Sequence, residues 1–377
     1  MKKKILITGA GGYIGSIATF QFLQKGYEVV GIDNFSTGYK RPLQLLQEKF
    51  GKEKLRFYHA DLTNNLHAIF DKEPDIDAVI HYAANCSVDE SINNPRKYFV
   101  NNTLASQNLL STMMDYHITN IIFSSTCAVY GEAKYLPIDE NHQTVPTSPY
   151  GESKLMTEKI IKRYGNAGKM RYVILRYFNV CGATEDGSFG DSKSPSIHLV
   201  QNALRGALDI EPFYLTFPAA DTSDQTPIRD YVNVLDLNEA HIRAVTYLLR
   251  DGKSEVINLG TGQGNSVLDI IKEVERLTGA KLPFKKSRSR QGEYAKMVAS
   301  ISKAHAILGW KPKHTLTQSI QSLISWYQKN PYGWLEYTST QTFLPTFIEQ
   351  STQSLYQMLS KLKKFSAGFN RNVLFHS

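Results

Sequence analysis

The stretch Lys4-Ile5-Leu6-Ile7-Thr8-Gly9-Ala10-Gly11-Gly12-Tyr13-Ile14-Gly15 decides the fold of this chain. A short apolar run ends in glycines, and an amphipathic segment, Tyr13–Lys25, follows at once. That order reads as strand, tight turn, helix. Gly9 permits the turn, Gly12 removes a side chain so that backbone can approach a pyrophosphate, and Gly15 lets the helix pack close to the sheet. The free N–H groups and positive dipole end of the helix then face the phosphates. The next apolar run closes with Ile32-Asp33-Asn34, and Asp33 lies eighteen residues beyond Gly15. An acid about 20 residues on binds the ribose hydroxyls of a dinucleotide. Its charge repels a 2′-phosphate, so the residues favour NAD over NADP. Asp61-Leu62 follows the third run, where adenine is contacted; the competing reading of Asp61 is a helix N-cap ahead of Thr63–Phe70.

Outward from this turn, short apolar runs recur at Lys4–Thr8, Glu28–Ile32, Leu55–Ala60, Ala78–Ala83, Asn120–Ser124 and Tyr172–Tyr177. Most lack polar alternation, as strands buried on both faces do. Longer amphipathic segments, among them Arg96–Tyr116 and Tyr150–Gly165, lie between them. Alternating strand and helix means βαβ units and a parallel sheet. The expected fold is α/β, a Rossmann-like doubly wound parallel sheet with a smaller C-terminal α+β substrate-binding domain.

After about Cys181 the texture changes. Ala183–Ser196 and Ala219–Pro227 read as long loops. Helical patterns follow at Ile197–Leu208, Leu235–Leu249, Val267–Leu277 and Leu316–Tyr327, with a short strand at Val256–Leu259. The expected division is 1–180 for the dinucleotide-binding domain and 181–331 for the second domain, with a strand and helix of 229–260 returning to the first. Residues 332–377 form an extension, rich in Thr, Ser and Gln, with one amphipathic stretch at Thr346–Lys364 and a basic end.

Composition is that of an ordinary globular protein: 377 residues, 42% hydrophobic and 21% charged. This excludes disordered, collagenous and coiled-coil chains. Three cysteines in such a length exclude a disulfide scaffold and point to a reducing compartment. The net charge of +8 fits an anionic partner of some kind. Basic residues are scattered apart from Lys285–Arg290 and the tail, and no nucleic-acid recognition motif accompanies them. The apolar run after the basic start is too short for a signal peptide, and no stretch approaches the ~18 apolar residues of a membrane span. The reading is a cytoplasmic protein.

Tyr150-Gly151-Glu152-Ser153-Lys154 places a phenol and an ammonium four residues apart on one helix face. A cation beside a phenol favours the phenolate and gives a base that works near neutral pH. The fifth strand ends in Ser124-Ser125-Thr126, at the sheet edge where open α/β sheets bind ligands. A hydroxyl there is placed to bind the substrate oxygen that Tyr150 deprotonates.

With these residues in view, the chain resembles the extended short-chain dehydrogenase/reductases, and among them the UDP-glucose 4-epimerase family. The likeness rests on Thr8-Gly9-x-x-Gly12-x-x-Gly15, Asp33-Asn34-Phe35-Ser36-Thr37-Gly38, His81-x-Ala83-Ala84, Ser124-Ser125-Thr126-x-x-Val129-Tyr130-Gly131 and Tyr150-x-x-x-Lys154. Arg176-Tyr177-Phe178-Asn179, Arg229-Asp230-Tyr231-Val232 and Asn258-Leu259-Gly260-Thr261-Gly262 extend it, so that it spans about Lys3 to Pro331. The resemblance implies NAD-dependent C4 epimerisation of a UDP-hexose through a transient 4-keto sugar. Tyr150, Lys154 and Thr126 would be catalytic.

By the same resemblance the cofactor would be held by Gly9, Gly12, Tyr13, Ile14 and Gly15 at the turn, and by Asp33, Asn34, Ser36, Thr37 and Gly38 after the second strand. Asp61, Leu62, Tyr82, Ala83, Ala84 and Asn101 would meet its adenosine and phosphate parts, and Ser124, Tyr150, Lys154 and Tyr177 its nicotinamide end. The UDP-sugar would meet Thr126, Tyr150, Phe178, Asn179, His198, Leu199 and Phe217. Arg229 and Arg290 would grip the diphosphate, with Glu293 near it, and Met297 stands at the sugar-size gate. A homodimer is implied, through Arg96–Tyr116 and Tyr150–Gly165, and no metal. Met297 leaves N-acetylated UDP-sugars open as substrates. A non-catalytic NAD-binding sensor of the same fold is the rival reading. Resembling 4,6-dehydratases carry Asp-Glu after the threonine; Cys127-Ala128 here lacks their acid and base.

Overall fold

The computed structural model describes residues 3–335 apart from 195, 214 and 288–293, and for 215–218 and 284–287 the backbone alone. Its strands in chain order are β1 Lys4–Thr8, β2 Glu28–Asp33, β3 Leu55–His59, β4 Ala78–His81, β5 Asn120–Thr126, β6 Arg171–Tyr177, β7 Asn179–Cys181, β8 Leu215–Pro218, β9 Ile228–Asn233, β10 Glu255–Leu259, β11 Gly264–Ser266, β12 Phe284–Ser287 and β13 Lys296–Met297. The helices are α1 Tyr13–Gln24, α2 Arg41–Phe50, α3 His67–Phe70, α4 Val88–Asn93, α5 Pro95–Tyr98, α6 Ala105–Asp115, α7 Pro149–Asn166, α8 Leu199–Ala207, α9 Val234–Leu248, α10 Val267–Thr278, α11 Ser302–Leu308 and α12 Leu316–Lys329.

Seven strands form one parallel sheet in the order β10-β6-β5-β4-β1-β2-β3. The order reverses direction at β1, which makes the sheet doubly wound. Consecutive residues of β1 explain its unbroken apolar run. Ile5 and Ile7 pack in one core with residues of α1 and α9, while Leu6 packs in the other with residues of α6 and α7. Both faces are dry, so neither needs polar residues. Later chain adds to this sheet: β10 pairs with β6, and α9 packs on it.

The amphipathic stretch Arg96–Tyr116 is one helix in the sequence reading and three pieces in the structure. Short α5 runs into a π-helical turn, Phe99–Leu104, before α6 begins. π turns of this kind gather at functional sites. Here the turn aims Asn102 inward, where Nδ2 donates to the Asn85 carbonyl and to Ser153 of α7.

The second half adds a small sheet in which β9 pairs with β7, β11 and β13. A two-stranded pair, β8 with β12, lies off it. A third core of α8, α10 and α12 residues includes Leu204, Ile270, Leu323 and Trp326. The sequence reading missed the short strands β7, β11 and β13, because two- or three-residue pairings leave no periodicity. The chain through Trp334 forms one compact unit; the call of an amphipathic helix at Thr346–Lys364 lies outside the described residues.

Candidate active site

A cleft of about 770 Å³ runs along the carboxyl edge of the parallel sheet. Its floor is the glycine turn. Gly9 has φ +70, and a Cβ there would lie 2.8 Å from the Ala83 nitrogen. A Cβ on Gly15 would overlap the Gly9 carbonyl oxygen. The turn therefore tolerates only glycine at these positions, and its emptiness is a cradle that side chains would fill. The start of α1 carries no side-chain cap, so its N–H groups stay available to an anion.

Asp33 is 7% exposed at the end of β2. Its Oδ2 accepts from Gly11 N at 2.9 Å and its Oδ1 from Phe35 N at 2.7 Å. Burial pushes its carboxyl up against these two bonds. Each oxygen keeps a further acceptor site for ribose hydroxyls. Asp61 accepts from Thr63 N at 2.8 Å and from Asn34 Nδ2 at 2.8 Å, and despite burial its hydrogen bonds to Thr63 and Asn34 hold it below the usual carboxylate range. It is no helix cap: the helix after it starts only at His67, so Asp61 shapes a turn instead.

Below the turn a relay ties β1 to β4 and the π turn. Ala83 N donates to Thr8 Oγ1 at 3.3 Å, and Thr8 Oγ1 pairs with His81 Nδ1 at 2.7 Å. His81 Nε2 pairs with Ser106 Oγ at 2.7 Å, and Ser106 donates to the Asn102 carbonyl. Burial drops His81 to about 3, so it is neutral. Because Ser106 gives its proton to Asn102, Nε2 carries the imidazole proton and Nδ1 accepts from Thr8.

At the other end stand Thr126 and Tyr150. Thr126 closes β5 with Oγ1 accepting from Ala128 N at 3.2 Å. Tyr150 sits in the first turn of α7, which Ser148 caps through Gly151 N. Lys154, one turn on, is 2% exposed and donates to the Ser124 carbonyl at 2.8 Å. The expected lowering of the phenol pKa by Lys154 is corrected here. Burial, with Tyr177, Cys86 and Cys127 nearby, pushes Tyr150 well above 10, and only a hydrogen bond with Thr126 opposes it. The ammonium itself is pushed down by burial to about 8. In the protein's own field Tyr150 is therefore a neutral phenol.

The cleft wall includes most of the expected residues. Gly9, Gly12, Tyr13, Ile14, Gly15, Asp33, Asn34, Ser36, Thr37, Gly38, Asp61, Leu62, Tyr82, Ala83, Ala84 and Asn101 line one end. Thr126, Tyr150, Lys154, Tyr177, Phe178, Asn179, His198, Arg229 and Met297 line the rest. Ser124 and Leu199 do not. The Ser124 hydroxyl is used behind the wall, against His241 Nε2 at 2.9 Å, while His241 Nδ1 donates to the Leu237 carbonyl. Leu199 packs on the third core at the start of α8. Arg290 and Glu293 lie outside the described residues, as does the side chain of Phe217.

Arg229 Nη1 donates to the carbonyls of Ile228 and Tyr294, and Tyr294 is hydrogen-bonded through its hydroxyl to Thr147. Met297 is 3% exposed beside Phe178 and Ala299. Sequence reasoning missed Asn85, Lys193, Asn202 and Tyr294, all of which line the cleft. The one available signal was the length of Ala183–Ser196, since long loops in compact domains are often functional. Cys127 and Ala128 also line the cleft, so neither of the two residues after Thr126 brings a carboxylate. Among the described residues no group of His, Cys, Asp and Glu converges to hold a metal ion, and no helix is long and apolar enough to cross a membrane.

The family described as GDP-mannose 4,6 dehydratase matches residues 6–323. The UDP-glucose 4-epimerase of Lactobacillus helveticus is 38% identical over 334 residues, 88% of this chain and 99% of that protein. A UDP-glucose 4-epimerase from Bifidobacterium longum, solved in complex with NAD+ and UDP, is 34% identical with a TM-score of 0.83, covering 88% of this chain and 100% of its own. The UDP-Glc/GlcNAc 4-epimerase of Campylobacter jejuni is 32% identical with a TM-score of 0.75, covering 87% of this chain and 99% of its own.

Proposed function

For a chain that belongs to the UDP-glucose 4-epimerase family of the extended short-chain dehydrogenase/reductases, we propose that this cleft interconverts the C4 epimers of a UDP-hexose with NAD as cofactor. The observation that carries the reading is the meeting of Thr126 from β5 and Tyr150 from α7 in one cleft with the glycine turn and with Asn179, His198 and Arg229 of the second half. A dinucleotide and a second nucleotide need two ends, and this cleft has both.

The glycine cradle and the Asp33 carboxylate fit NAD. When bound, NAD would supply a reversible hydride acceptor for C4 and a cationic ring that would favour the Tyr150 phenolate. The protein's residues do the rest. Thr126 Oγ1 binds the sugar O4. Tyr150 takes the O4 proton and later returns it. Lys154 holds the Ser124 carbonyl and its own charge beside the site, which keeps the Tyr150 helix in place. Asn179 and Arg229 hold the diphosphate, the fixed point about which the 4-keto sugar turns over. Arg290 and Glu293 join them, and Phe217, His198 and Leu199 take the uridine end. Residues 1–180 with 229–260 serve the dinucleotide, and 181–331 the sugar nucleotide. Cys127 and Ala128, which follow Thr126, carry no carboxylate to act as acid and base in water elimination, which speaks against dehydration chemistry.

The protein works in the cytoplasm as a homodimer. The three cysteines are free thiols. Val100, Leu104 and Met156, on the π turn and α7, expose 39%, 56% and 38% of their surfaces and would be covered between two copies.

The test is UDP-galactose and UDP-glucose interconversion by the purified protein with neither NAD nor reductant added. Interconversion with bound NAD conserved is the expected result. Absence of turnover in NAD-loaded protein would overturn it. Met297 leaves open a second reading in which UDP-GlcNAc is also taken; the same assay with UDP-GlcNAc decides it.

A further inference from the structure

The loop between β7 and α8 is laid across the glycine turn and pinned there. Tyr39 N donates to the Gly11 carbonyl at 2.9 Å, and the Tyr39 hydroxyl donates to the Ser192 carbonyl at 3.1 Å. Trp326 Nε1 donates to the Asp191 carbonyl at 2.9 Å, and Trp334 N to Ser192 Oγ at 2.7 Å. The Tyr13 hydroxyl, at the first residue of α1, donates to the Gly182 carbonyl. The loop is therefore held on one side by the turn itself and on the other by α12 and the residues after it.

The residue after Ser192 is Lys193. Its Nζ donates to Cys86 Sγ at 3.1 Å. Cys86 lies three residues past Ala83, whose nitrogen abuts Gly9. Asn85, between them, is fixed by its N–H on Asn102 Oδ1 at 2.8 Å. Lys193 thus bridges from Tyr39, which rests on Gly11, to the loop that rests on Gly9. Its ammonium, bonded to Cys86, lies in the cleft that the glycine turn also lines. Among the described residues Cys86 is its one hydrogen-bond partner, and a thiol is a weak acceptor. A half-buried ammonium with two donors still to place is a site for an oxygen anion.

Among the described residues three cationic side chains line the cleft: Lys154, Lys193 and Arg229. Lys154 points at Ser124, and Arg229 at Ile228 and Tyr294. Lys193 alone of the three is bonded to the loop after β4, whose Ala83 nitrogen abuts Gly9.

We propose that Lys193, carried on a loop of the second half, is the cation that grips the pyrophosphate of the bound dinucleotide and so straps it into the cleft. The inference rests on NAD being the occupant of the cradle. It also couples the two halves: the loop that supplies Lys193 continues directly into Ser196 and His198, which line the sugar-nucleotide end.

The test compares Lys193→Met and Lys193→Arg with the unchanged protein by two readouts. One is the rate at which bound NAD exchanges for labelled NAD. The other is the affinity of the NAD-loaded protein for UDP by calorimetry. Loss of a charge-assisted hydrogen bond implies NAD exchange faster by roughly 10- to 100-fold in Lys193→Met, near-native exchange in Lys193→Arg, and unchanged UDP affinity. Weakened UDP binding with unchanged NAD exchange would assign the ammonium to the sugar nucleotide and overturn the proposal. Unchanged exchange, or equal acceleration in both variants, would overturn it too, the latter because the stem rather than the charge would matter. If Lys193→Met does not fold, Lys193→Gln gives the same comparison. Unchanged protein that holds no NAD would instead sink the functional reading on which this rests.

Discussion

At the scale of single residues the site is governed by burial. Tyr150 is buried deeply enough that its phenol stays protonated until positive charge arrives. Tyr150→Phe keeps the packing and removes the proton carrier, so kcat should fall by roughly 10²–10⁴ while NAD stays bound. Retained turnover would remove Tyr150 from its role. Lys154 offers a pH signature. Burial lowers its folded-state pKa from 10.5 to about 8. As pH rises from 8 to 10.5 the native state loses this proton before the unfolded state does. The unfolded chain then binds more protons, and native stability gains with pH by at most ~1.4 kcal/mol per unit from this group. The stability difference between the unchanged protein and Lys154→Met, from urea unfolding, should therefore grow across that window. A flat difference would show that Lys154 keeps its ordinary pKa.

Among elements, α7 matters most, because it carries both Tyr150 and Lys154. A buried ion pair fixes it to the sheet. Arg176 of β6 donates to both Glu158 oxygens at 2.9 and 2.6 Å, and Ser125 donates to Glu158 Oε1 at 2.6 Å. Glu158 is fully buried and Arg176 is 3% exposed. Removing Arg176 leaves the buried Glu158 carboxylate with only the more distant Lys162, at 3.7 Å, as a cation, so Arg176→Ala should cost up to about 3–5 kcal/mol of stability. The double variant Arg176→Ala/Glu158→Ala should recover part of that, measured by denaturant midpoints. Equal losses in the single and double variants would mean that the pair does not couple. The sequence made α7 legible through its amphipathic pattern over Tyr150–Gly165. The pairing of Glu158 with Arg176 was not legible, because nothing local links residues on a helix and a distant strand.

For the whole molecule, the proposed homodimer would bury the exposed apolar residues Val100, Leu104 and Met156. Leu104→Glu should shift the protein toward monomer by light scattering, with NAD still bound. An unchanged dimer would place the interface elsewhere. The same scale shows why the sequence reading of a single long helix at Arg96–Tyr116 was incomplete. Its apolar spacing is helical throughout. The π turn arises where Asn102 must reach Asn85 and Ser153, which are brought together only by tertiary packing.

The sequence by itself determined the βαβ alternation, the glycine turn with its acid at Asp33, and the Tyr150–Lys154 pair. Each is a local pattern: a run of apolar residues, a spacing along one strand-turn-helix unit, or a helical repeat. Only the tertiary structure decided which groups meet across the cleft. It turned the Ser124 hydroxyl away to His241, raised rather than lowered Tyr150, and bonded Lys193 to Cys86 from a loop far along the chain. Desolvation and contacts between distant segments are properties of the packed molecule, and no periodicity in the chain encodes them.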